Sequence, residues 1–161
     1  MGIIRRIKWL LQKVFRKDHT SDNELWSLDY YLAKIILPKL KRFKAMGRNG
    51  YPGNFISKKE EALNIGYTEG EIDEAINKGD LVIGGPEKWE ESLDEMIFAF
   101  DFIVSADDTT QEEAFYKRYN LKNPYSKEDY RNCDYDLLKE YHKRADAGLT
   151  LFSRYFNSLW D

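Results

Sequence analysis

The long apolar segments of this chain all repeat with the period of an α-helix, and this repeat is the strongest constraint on its fold. Similar stripes run through residues 3–15, 24–46, 86–105 and 135–159, whereas the only extended candidate is a few residues near 81–83. At 100° per residue, the stripe of the third segment gathers on one side of a helix. Its members are Trp89, Leu93, Met96, Ile97, Phe100, Ile103 and Val104. The pattern predicts an all-α helical bundle of three or four main helices.

A small helical insertion interrupts this bundle at residues 54–85. The chain of 161 residues suits a single helical domain over 1–161, and the loop GRNGYPGN opens the insertion. Two short helices follow, and each has a capping box and a closing glycine. The boxes are Ser57 with Glu60 and Thr68 with Glu71, and the glycines are Gly66 and Gly79. Residues 58–78 resemble a helix-turn-helix, but the acidic second helix would repel DNA phosphates and disfavours nucleic acid as a partner.

The net charge of −3 conceals a strong polarity along the chain. Residues 1–48 carry 12 Lys/Arg and 4 Asp/Glu, a balance of +8, and the remainder carries 13 and 24, a balance of −11. Residues 3–17 form a basic amphipathic pattern that can pack on the bundle, lie on an anionic membrane surface or contact nucleic acid. We expect the basic front to bind an anion or to neutralise part of the acidic back.

The residue types needed for most enzyme chemistry are scarce or badly spaced. The chain has one cysteine and two histidines, and Cys133 has no histidine at a useful spacing. Glu140 and His142 are two residues apart, which does not fit the Glu-x-x-His pairs of di-metal bundles. No phosphate-binding glycine loop or nucleophile elbow occurs. We therefore expect no catalytic residue, metal site or cofactor, and a non-enzymatic protein in a reducing cytosol.

A ligand site is most plausible where aromatic, acidic and basic residues meet. Phe98 and Phe102 stack at i and i+4 on the acidic side of the 86–105 helix, which predicts either a second packing face or a stacking surface for a base or a cationic group. Asp29 falls in the apolar stripe of the second helix, where a carboxylate needs a partner. The candidate ligand-binding residues are Asp29, Tyr30, Lys34, Lys41, Arg42, Asp94, Phe98 and Phe102.

Three stretches together carry a resemblance to a known group of proteins. They are WSLDYYLAKIILPKLKRFK, then YPGNF followed by WEESLDEMIFAFDF, and the ending AGLTLFSRYFNSLWD. They resemble small, mostly uncharacterised proteins of tailed phages, so the resemblance implies phage origin and action in the host cytoplasm.

This resemblance favours a non-enzymatic accessory protein that acts by binding. It would serve counter-defence, by sequestering a nucleotide-type signal or by blocking a host protein. One alternative is a nucleic-acid or membrane-surface binder that uses residues 3–17, and another is a structural component of the virion. Nothing in the sequence specifies an oligomeric state.

Overall fold

The computed structural model describes residues 22–47, 50–107, 112–122 and 134–159. Within them the chain is predominantly helical, with two short strands, which confirms the all-α fold class. The predicted helix in residues 3–17 lies outside the described residues. The helices are α1 (Asp22–Trp26), α2 (Leu28–Ala45), α3 (Lys59–Asn64), α4 (Glu69–Lys78), α5 (Gly85–Asp107), α6 (Glu112–Arg118) and α7 (Tyr135–Tyr155). Strands β1 (Phe55–Ile56) and β2 (Val82–Ile83) flank α3 and α4, and a 3-10 turn, Phe156–Ser158, follows α7.

Helix α5 is the centre of the bundle because it is apolar on two sides. It packs against α2 and α7 along most of its length and against α6 near its end. Trp89, Leu93, Met96 and Phe100 are buried on the first side, as their helical spacing predicts. Phe102 is buried on the second side, in a separate cluster formed with α6 and α7. No helix in the described part of the chain is long and apolar enough to cross a membrane.

The contact between α5 and α7 is close enough to require a glycine. A Cβ atom built on Gly148 would lie 2.3 Å from the carbonyl oxygen of Glu95 and 2.8 Å from the Cβ of Ala99. Both atoms belong to the surface of α5, and the carbonyl oxygen is fixed by the helix backbone. Any larger residue at position 148 would therefore have to push the two helices apart.

The predicted insertion contains α3 and α4, and a short parallel sheet closes it. Phe55 pairs with Val82 and Ile56 with Ile83, so this sheet joins the two ends of the unit. Ile56, Ala62 and Ile72 form its small core. The guanidinium of Arg154 on α7 donates a hydrogen bond to the carbonyl of Gly79 at 2.9 Å, which ties the unit to the bundle.

One of the two predicted capping boxes is confirmed and the other is wrong. The Thr68 hydroxyl accepts from the Glu71 backbone N–H at 3.3 Å, and the Glu71 carboxylate accepts from the Thr68 N–H at 2.8 Å. At α3 the N-cap is Lys58, without a side-chain cap, because the helix starts one residue later than the pattern indicates. The N–H of Ser57 donates instead to the carboxylate of Glu61 at 3.1 Å.

Candidate functional site

The basic residues of α2 face the acidic side of α5 and pair with it. Lys44 contacts the carboxylates of Asp94 and Glu90, the latter at 3.5 Å, and Lys41 lies 3.2 Å from Asp101. Desolvation disfavours the charge on Lys44, but its hydrogen bond to Asp94 and the nearby acidic charges outweigh this and raise its pKa. Two of the candidate ligand residues, Lys41 and Asp94, are therefore occupied in contacts between helices.

Asp101 is the most enclosed carboxylate of this group, with a side chain only 13% exposed. It joins three helices, because Lys41 comes from α2 and the Arg118 guanidinium, 2.5 Å away, comes from the end of α6. The hydroxyl of Tyr119 donates to its second oxygen at 3.3 Å. Burial and the charge of Asp101 raise the pKa of Tyr119. The cations of Lys41 and Arg118 therefore stabilise the negative charge of Asp101, as the partners in a structural ion pair do.

Phe98 and Phe102 belong to a covered aromatic cluster and do not form an open stacking surface. Their rings are stacked with centroids 6.0 Å apart, and Phe102 is only 2% exposed. Tyr119 meets both rings edge-on, and Tyr141 of α7 lies against both. Of the two predicted alternatives the structure shows the second packing face, because α6 and α7 cover the rings and a base could not reach Phe102 without displacing them.

The half-buried ring of Phe98 is capped by a cation. The Arg144 guanidinium lies 3.9 Å from the ring centroid and makes two hydrogen bonds of 2.7 Å to the carboxylate of Glu95. The bidentate hydrogen bond to Glu95 raises the pKa of Arg144 against the opposing effect of desolvation. A cation already occupies the position that a cationic ligand would take over this ring.

The remaining candidates all lie on α2, and the expected burial of Asp29 is not observed. Asp29 is exposed, not buried in the apolar stripe. Tyr30 is half-buried and receives a hydrogen bond of 3.1 Å from the ammonium of Lys34, while Arg42 is exposed. Asp29 is exposed because α2 runs antiparallel to α5. The contacts of Lys44 and Lys41 with successively later residues of α5 place the first turn of α2 beyond the end of α5.

The eight candidate residues do not converge on one site. Tyr30 and Lys44, the partner of Asp94, are separated by 14 positions along α2, which corresponds to about 21 Å. One end of α2 therefore carries Asp29, Tyr30 and Lys34, and the other end meets Asp94. A small ligand could contact one end of this row or the other, but not both.

The structure leaves a different surface open, which we call the outer face of α1–α2. It comprises five large apolar side chains that are 46–89% exposed, namely Leu25, Trp26, Leu28, Leu32 and Ile35. Lys39 and Arg42 are exposed on the continuation of the same side of α2. Leu25, Trp26 and Asp22 also line a shallow cleft of about 340 Å³. Exposed apolar clusters of this kind usually mark sites of contact with a partner or a membrane.

The apolar stripe of residues 24–46 includes Leu25, Leu28, Leu32 and Ile35, which a core stripe would bury, but the structure exposes all four. Leu40 is buried and Ile36 is partly buried, and both lie on the side of α2 that packs against α5. At 100° per residue, Ile35 lies about 140° around the helix from Leu40, which is more than one packed face spans. That excess width is the signal that could have revealed the outer face.

A second set of exposed apolar residues can be compared with the outer face of α1–α2. Leu63, Ile65 and Tyr67, at the junction of α3 and α4, are 40–75% exposed. Their neighbours on the two helices include the exposed acids Glu60 and Glu69. We call this second set the acidic surface, and its apolar exposure is similar to that of the outer face.

Comparison of the chain with protein-family models, with curated proteins and with solved structures gives no match in any of the three.

Proposed function

We propose that this chain is a non-enzymatic accessory protein of a tailed phage that acts in the host cytoplasm by binding a host component through the outer face of α1–α2. The observation that carries the proposal is the exposure of Leu28, Leu32 and Ile35, which share one side of α2, together with that of Leu25 and Trp26 in α1. Removing apolar surface from water is the main driving force of association. A protein that leaves neighbouring large apolar side chains exposed gains affinity for a partner that covers them.

The spacing of these residues suits recognition through a helix. Leu25, Leu28, Leu32 and Ile35 follow one another at i, i+3, i+7 and i+10, which is the anchor spacing of an amphipathic helix that lies in a groove or on a surface. Ser27, whose φ of −126° and ψ of 53° are not helical, separates α1 from α2, so the uninterrupted part of this spacing is Leu28, Leu32 and Ile35 on α2. The face therefore favours a large partner over a small molecule.

The nucleotide-sequestering version of the proposal has less geometric support. A phosphate that paired with Lys41 would compete with Asp101, and a base could not stack on the buried ring of Phe102. Tyr30, Lys34 and Arg42 remain near the surface of α2 as the residues that a nucleotide could contact. Counter-defence by blocking a host macromolecule is for this reason the form of the function that we place first.

Affinity purification from infected cells tests the proposal with one pair of variants. Leu32→Asp places a charge in the outer face, whereas Ile65→Asp makes the same type of change at an exposed apolar residue of the acidic surface. We expect a host component to be retained by the wild-type chain and by Ile65→Asp, and to be lost with Leu32→Asp. Equal retention by both variants would show that the outer face is not the binding surface.

The same variants separate the two ligand classes. Thermal denaturation with a panel of mono- and cyclic nucleotides should show no increase in Tm for the wild-type chain if the partner is macromolecular. A nucleotide that raises Tm for both the wild type and Leu32→Asp would favour the small-ligand version and would move the site to Tyr30 and Arg42.

A further inference from the structure

We draw no further inference here: the strongest candidate, the exposed apolar side of α2 formed by Leu28, Leu32 and Ile35, belongs to the surface that already carries the proposed function, and nothing in the described part of the chain shows what covers it.

Discussion

Replacing Gly148 by alanine tests the packing of the bundle at its tightest point. The added Cβ would lie 2.3 Å from the Glu95 carbonyl oxygen and 2.8 Å from the Ala99 Cβ. Carbon atoms in contact normally lie about 3.5–4.0 Å apart, so α5 and α7 would have to separate by about 1 Å. The nearest obstacle is backbone and cannot rotate away, which distinguishes this site from a clash with a flexible side chain.

Two opposing effects determine how much Gly148→Ala changes the free energy of unfolding. Overpacking a close contact costs about 1–3 kcal/mol, and the rigid obstacle at Glu95 places Gly148→Ala near the upper end. Alanine is favoured over glycine inside a helix by about 1 kcal/mol. The net expectation is a loss of about 2 kcal/mol in the free energy of unfolding.

Equilibrium unfolding in urea measures this difference. With a slope of about 2 kcal/mol per molar urea for a protein of this class, the midpoint of Gly148→Ala should fall by about 1 M. Gly70→Ala is the matched control, because Gly70 lies in α4 and a Cβ added there would meet no atom within 4 Å. That variant should gain about 0.4–1 kcal/mol. A midpoint for Gly148→Ala equal to or above that of the wild type would refute the close α5–α7 contact.

Three further predictions concern polar groups. Asp101→Asn should lower the free energy of unfolding by about 1–2 kcal/mol in chemical denaturation, because its two half-exposed cationic partners lose a charge-assisted contact. The raised pKa of Tyr119 contributes stability that is complete below pH 10.0 and is lost as the pH rises through its folded-state pKa; Tyr119→Phe should therefore flatten the alkaline part of a stability profile. Thr68→Ala should cost about 1 kcal/mol, whereas Ser57→Ala, at a position that forms no capping box, should shift the urea midpoint little.

The helices of the bundle could be predicted from the sequence because their burial follows local periodicity. Trp89, Leu93, Met96 and Phe100 lie on one side of α5 by spacing alone, and the structure buries all four. The Thr68 capping box could also be predicted from the sequence, since its two partners are only three residues apart. Such signals depend on neighbours along the chain, which the sequence displays directly.

The features that could not be predicted depend on which helix covers which surface. Phe102 is spaced like a residue of an exposed acidic face, but α6 and α7 enclose it. Asp29 lies on the same side of α2 as the buried Leu40, but the first turn of α2 projects beyond the end of α5. Leu32 is exposed for a different reason, because it lies about 80° around the helix from Leu40. A helical projection gives the direction of a side chain and carries no information about where the neighbouring helix ends.

Site-specific photo-crosslinking in infected cells tests the central claim most directly, namely that the outer face of α1–α2 is a binding surface. A photoreactive phenylalanine analogue replaces either Leu32 on that face or Ile65 on the acidic surface, both of which are exposed. We predict that illumination yields adducts from position 32 and none from position 65. Adducts from position 65 alone, or equal adducts from both, would contradict the claim.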